Sequence, residues 1–224
     1  MSRPFVREVR NVLLPLADAG KAAGMAAYLK QRFAFLGVQT PARRKAVAVL
    51  VRGFEGDPLA AAKALWKESE REFQYVACDL LARHAKHLPA EALDELLALV
   101  SSKSWWDTVD ALASTAGELV AWHPQLVARM DQLIDDPDLW RRRIALLHQL
   151  GRKGDTDTAR LFGYCLRRAE ETEFFIRKAI GWALRDYAWH DPRAVAGFLA
   201  GPGAVLSPLS RREAAKNLPG REGL

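Results

Sequence analysis

The chain has 224 residues, half of them hydrophobic, with a formal net charge of +6 and a pI near 9.5, so it can bury a sizeable core as one elongated domain or two small ones. Its basic excess sits among plentiful acids, which marks a globular protein with a basic face suited to a polyanionic partner, not one with a basic tail. Two distant cysteines, Cys78 and Cys165, exclude a disulfide framework, and the lack of any run near the roughly 18 apolar residues of a spanning helix excludes a membrane span.

No alternation of period two appears, and helical periodicity appears almost everywhere. A first helix is predicted from Phe5 to Ala17. A second, from Lys21 to Phe33, buries Ala22, Met25, Ala26, Leu29 and Phe33 and leaves Tyr28 off its stripe. Helices follow near 41–52, 58–67, 70–87, 89–101, 104–122, 124–134, 137–151, 155–169, 172–189, 191–200 and 208–218. Proline and aspartate punctuate the breaks, as in Asp57-Pro58, His123-Pro124 and Asp191-Pro192.

The spacing carries the fold prediction. Aromatic-led long helices begin near Phe73, Trp106, Trp140 and Phe175, a period of about 34 residues. Repeated helix pairs of that length imply an all-α fold, an α-solenoid, in which one helix of each pair lines a concave side. No linker divides the chain, so 1–224 reads as one domain whose last ten or so residues fray.

Ser104 with Asp107 three residues later reads as a capping box opening the helix at 104–122. Trp105, Val109, Leu112, Ala116 and Leu119 form its buried stripe. Trp106 and Asp110 lie four apart on a strip about 100° round from it. On the next long helix Arg141, Arg142 and Arg143 are consecutive, and Arg143 falls between Trp140 and Leu147 at helical spacing, where an arginine usually has a carboxylate or phosphate partner. On the third, Trp182 has Lys178 four before it and Arg185 three after. Stacked repeats bring these strips together in one groove. Its cations suit a phosphate backbone, and its indoles suit a sugar, a base or a cation. A lone carboxylate would repel phosphate. It helps if positive charge develops on the ligand, as in cleavage of an N-glycosidic bond, and a base already cationic leaves without a general acid.

Four blocks then carry a resemblance that covers nearly the whole chain. They are Tyr28 to Arg44 (YLKQRFAFLGVQTPARR), Lys103 to Asp110 (KSWWDTVD), Trp140 to Leu150 (WRRRIALLHQL) and Phe174 to Arg185 (FFIRKAIGWALR). The sequence resembles the AlkD-type DNA alkylation repair enzymes, DNA glycosylases built from HEAT-like repeats. The resemblance implies excision of cationic N3- and N7-alkylated purines from duplex DNA without a base-flipping pocket, which tolerates bulky adducts. It implies Asp110 as the catalytic carboxylate, Trp106 and Trp182 against the lesion nucleotide's backbone and sugar, Arg143 as the groove arginine, and Tyr28 joining from the N-terminal repeat. Lys178, Arg185 and Arg142 are the further DNA-binding candidates. Some relatives lack parts of this set and bind unusual DNA structures without excision. This chain keeps the acid, both indoles and the arginine.

Other residues take plainer readings. Trp105 is core, and Asp107 is a helix cap. Without the resemblance Asp110 is a solvated or salt-bridged acid, and the arginine run is a solvated face. Trp66, Trp122, Trp140 and Trp189 pack between repeats. Cys78 and Cys165 are buried free thiols. His84, His87, His123, His148 and His190 show no ligand spacing, and no metal or cofactor is expected. The expected protein is a cytoplasmic monomer. The alternatives are a non-catalytic HEAT-repeat binder of DNA structures or a protein-interaction scaffold.

Overall fold

The structure, a computed structural model, describes residues 2–218. The chain divides into two compact units, Met1–Glu95 and Leu96–Leu224. The division falls inside one helix, so no linker marks it in the sequence.

Thirteen α-helices run through the described residues: α1 (Ser2–Leu13), α2 (Ala19–Tyr28), α3 (Thr40–Arg52), α4 (Pro58–Trp66), α5 (Arg71–His84), α6 (Ala92–Val100), α7 (Trp106–Trp122), α8 (Val127–Leu133), α9 (Leu139–Leu147), α10 (Thr158–Arg167), α11 (Phe174–Ala188), α12 (Pro192–Ala200) and α13 (Pro208–Ala214). Among the described residues the only β pairing is an isolated bridge between Ala34 and Glu70. No described helix is long and apolar enough to cross a membrane. The predicted all-α fold of repeated helix pairs is the observed one, and most boundaries move by a few residues as terminal turns tighten to 3-10 geometry.

In the first unit α1 packs on α3 and α4, and both of these pack on α5. The predicted helix 21–33 stops at Tyr28. Lys30 and Gln31 both take positive φ, 60° and 58°, which breaks the helical ladder before Phe33. Phe33 instead lies beneath the buried Arg71, whose guanidinium carbon is 3.8 Å from the ring centroid. The following loop is held from inside. The buried Glu72 accepts the backbone N–H groups of Leu36, Gly37 and Val38 at 3.0, 2.8 and 3.0 Å. Gly37 is required there: its φ is +89°, and a Cβ would lie 2.0 Å from the Asp18 carbonyl oxygen.

In the second unit α7, α9, α11 and α13 pack side by side as one row. Helix α8 backs α9, α10 lies against α9 and α11, and α12 lies against α11. This is the solenoid arrangement, in which each helix buries its apolar stripe on its neighbours. Val109, Leu112, Ala116 and Leu119 of α7 are buried as the periodicity predicts. Gly117 lets α7 close on the end of α9, since a Cβ there would stand 2.0 Å from the His148 carbonyl oxygen.

Two expectations about tryptophan are corrected. Trp66 is buried and Trp140 packs in an aromatic cluster, but Trp122 and Trp189 are exposed. They end α7 and follow α11, where no later helix turn remains to cover them. Cys78 and Cys165 are free and buried, and burial pushes the Cys165 thiol far up. Of the tail expected to fray, 219–224 lies outside the described residues, while Ala215 and Leu218 are buried.

Candidate nucleic-acid site

Local geometry at the start of α7 differs from the predicted capping box. Trp105, extended at φ −161° and ψ 159°, is the N-cap, and no side chain caps the helix. The Ser104 hydroxyl donates instead to the Val100 carbonyl at 2.6 Å, closing the turn before α7. Asp107 keeps a plainer role, an acid in the first turn, where the helix dipole favours it.

This one-residue shift has a consequence for the repeat register. Trp105 packs with Trp140 and Phe175, at centroid distances of 5.7 and 4.9 Å, and Trp140 meets Phe175 at 5.0 Å. The three rings gather the N-terminal ends of α7, α9 and α11. Trp106, the first residue of α7, is half-buried.

Asp110 stands one turn further along α7. Its carboxylate takes both arms of the Arg143 guanidinium: Nε donates to Oδ1 at 2.6 Å and Nη2 to Oδ2 at 2.9 Å. The remaining nitrogen of Arg143, Nη1, donates to the backbone carbonyl of Phe175. One side chain of α9 therefore ties α7 to α11. The Arg143 side chain is 5% exposed and that of Asp110 13%, so the acid keeps a narrow accessible edge while its partner is sealed. Burial pushes the Asp110 carboxyl above the usual carboxylate range, against the pull of the Arg143 guanidinium.

The other two arginines of the run point to different partners. Arg142 donates to the carbonyls of Asp136 and Pro137 at 2.7 and 2.9 Å and pairs with Glu171 at 3.3 Å. Arg141 reaches Ser101 and Asp136. Asp138 caps α9 through the Trp140 N–H at 2.9 Å, which sets the helical phase of all three arginines.

Trp182 lies half-buried on α11, two turns beyond Phe175. Lys178 and Arg185, its neighbours at helical spacing, both pair with Glu213 of α13, at 2.8 and 3.0 Å. The sequence reading missed Glu213. Its signal was there in outline: Glu213 follows Lys178 by about one repeat, as Arg143 follows Asp110. The Phe175 carbonyl, a backbone group, carried no signal at all. Tyr28, the last residue of α2 in the first unit, is strongly exposed.

The structure thus joins Asp110 and Arg143 directly, sets Trp106 one turn before Asp110, and sets Trp182 on the helix that receives Arg143's third donor. Among the described residues no group of three or more His, Cys, Asp or Glu side chains is placed to hold a metal ion.

The comparisons with known proteins agree with one another. The sequence model described as DNA alkylation repair enzyme matches residues 9–218. A solved structure titled as a predicted DNA alkylation repair enzyme from Enterococcus faecalis is 33% identical, with a TM-score of 0.84, covering 91% of this chain and 97% of that one. The structure of smu.31 from Streptococcus mutans UA159, at 15% identity and a TM-score of 0.62, covers 96% of this chain and 99% of its own and shows the fold alone. No curated protein matches.

Proposed function

The chain belongs to the DNA alkylation repair enzyme family, and on that premise we propose that it is a monofunctional DNA glycosylase of the AlkD type. It releases cationic N3- and N7-alkylated purines from duplex DNA as the first step of base excision repair, acting as a cytoplasmic monomer.

The observation that carries this reading is the Asp110–Arg143 fork. A carboxylate that is mostly buried, fixed at both oxygens and still open along one edge is a preorganised negative charge. In the proposed reaction the bond between the sugar C1′ and the base nitrogen breaks, and its electron pair leaves with the base. The departing base loses its positive charge and needs no general acid. Charge passes to the sugar, where the Asp110 carboxylate faces it. A water oxygen then bonds to C1′, and its proton passes through the carboxylate to solvent. Arg143 orients the acid and spares it from swinging towards the cation. Trp106 and Trp182 hold the sugar and backbone of the damaged nucleotide, so that no pocket for a flipped base is needed. Lys178, Arg185 and Arg142 contact the duplex from the second unit, and Tyr28 does so from the first.

Incubation of methylated duplex DNA with the protein should release 7-methylguanine or 3-methyladenine. Release that persists undiminished in Asp110→Asn would sink the mechanism.

One observation favours a second reading. Arg143 spends all three of its nitrogens inside the protein, so the fork also serves as a clip between helices. A protein that used it only as a clip would bind DNA structures without excision. Salt-sensitive duplex affinity without base release would mark that outcome.

A further inference from the structure

Glu213 is a carboxylate among three cations, two of which, Lys178 and Arg185, the proposed function assigns to DNA. Lys178 Nζ and Lys216 Nζ lie 2.8 and 2.7 Å from its Oε1, and Arg185 Nη1 lies 3.0 Å from its Oε2. Three positive charges against one negative leave the cluster at +2. The burial is graded. The Glu213 side chain is 10% exposed, whereas those of Lys178, Arg185 and Lys216 are 34, 28 and 49% exposed. The acid therefore lies below and its cations lie above, nearer solvent.

The fold makes room for this acid. A Cβ on Gly181 would come within 2.4 Å of the Glu213 Cβ and 2.8 Å of the Ser210 carbonyl oxygen, so only glycine lets α13 approach α11 there. The Ser210 hydroxyl donates to the Arg177 carbonyl at 2.9 Å, and the Asn217 amide to the Arg185 carbonyl at 3.1 Å, which fixes α13 and the turn after it against α11. Gly181 is also the residue before Trp182. The two α11 cations, seven residues apart in sequence, are thus drawn in over the turn that carries Trp182, onto the two oxygens of one carboxylate.

We propose that Glu213 is a positioning residue that sets Lys178 and Arg185, with Lys216, as a preformed anchor for a backbone phosphate beside Trp182. Long cationic side chains lose rotamer freedom when they bind, and a partner that orders them in the free protein removes that loss in advance. This inference rests on the reading that duplex DNA is the ligand.

The test uses the sign of the effect. Neutralising an acid on a DNA-binding surface raises affinity if only net charge matters. If Glu213 positions the cations, Glu213→Gln lowers it. We expect duplex affinity at moderate salt to fall about tenfold in Glu213→Gln, and the slope of log K against log salt to shrink by about 1 to 2, as in Lys178→Gln/Arg185→Gln. Glu213→Asp, which keeps the charge, recovers part of the loss. Thermal unfolding is followed alongside, and affinity is measured below the transition of each variant. Tighter binding or an unchanged slope in folded Glu213→Gln overturns the positioning role alone. Salt-independent binding by the wild type would instead overturn the DNA reading beneath it.

Discussion

Asp110 and Arg143 meet through two parallel hydrogen bonds, 2.6 and 2.9 Å long, across a separation of 33 residues. The pair is mostly buried, and the two members are not equivalent. Arg143 also serves the Phe175 carbonyl, whereas Asp110 keeps a narrow exposed edge.

Substitution of either member breaks the same buried pair, and the two variants differ in what they do to base release. Asp110→Asn keeps the shape but turns one bonded oxygen into a donor facing the Arg143 guanidinium, so base release falls by at least about a hundredfold and some stability is lost with it. Arg143→Ala strands a buried carboxylate and costs about 3 kcal/mol or more of stability. Urea unfolding and single-turnover release, measured on both variants, check the split.

Acidification reaches Asp110 early. Its carboxyl protonates above the usual carboxylate range because burial disfavours the charge. Release under saturating DNA therefore declines as pH drops through that raised value, before a solvent-exposed aspartate would titrate. A kcat–pH profile checks this; a profile flat down to the ordinary aspartate range contradicts it.

His148 gives a stability signature of its own. It is buried, its Nδ1 lies 2.7 Å from the Ala145 carbonyl, and burial lowers its pKa from 6.5 to about 4. The unfolded chain takes up the proton first on acidification. Stability is thus complete above about 6.5 and drains away towards pH 4, by about 3 kcal/mol. Glu213 acts lower down. Burial raises its pKa, but the bonds from Lys178 and Lys216 outweigh that and hold it at about 2, below its ordinary 4.5. Its contribution is present above 4.5 and drains away as pH falls towards about 2. Unfolding midpoints across pH 2 to 7 should show both steps, and His148→Leu should remove the upper one.

Gly117→Ala forces α7 away from the end of α9 and costs about 2–3 kcal/mol. Gly163→Ala, in α10 with nothing within 4 Å of the added carbon, raises stability by about 0.5–1 kcal/mol. Chemical denaturation with unchanged m-values distinguishes the two.

Borohydride trapping tests the absence of a lyase step. With no lysine acting as nucleophile, incubation with alkylated duplex DNA and borohydride leaves no covalent adduct. A trapped adduct would contradict a monofunctional reaction.

Helical periodicity made the helices legible because each stripe is buried by a neighbour of the same kind, as Val109 to Leu119 show. Asp110 was legible as an off-stripe acid and Arg143 as an arginine on a half-apolar strip that needs a carboxylate or phosphate partner; the direct bond between them joins two neighbouring repeats. What the sequence hid was of two kinds. Backbone contributions, such as the Phe175 carbonyl and the extended Trp105 that displaced the expected capping box, have no residue type to announce them. Partner choice was the other. Lys178 and Arg185 read as cations awaiting phosphate because Glu213 belongs to a later helix, and only its spacing of about one repeat from Lys178 hints at the pair. Trp122 and Trp189 misled for a related reason: position at a helix end, not residue type, decides whether an indole is covered.

Repeat proteins commonly gain or lose whole units, because each unit touches only its neighbours. The clips across this second unit restrict that freedom. Asp110 needs Arg143 from the next long helix, Arg142 needs Glu171, and Lys178 needs Glu213. Deleting or duplicating one helix pair here would strand a charge at each new junction. The row α7–α9–α11–α13 therefore behaves as one indivisible block, open to change in its loops but closed to change in its number of repeats.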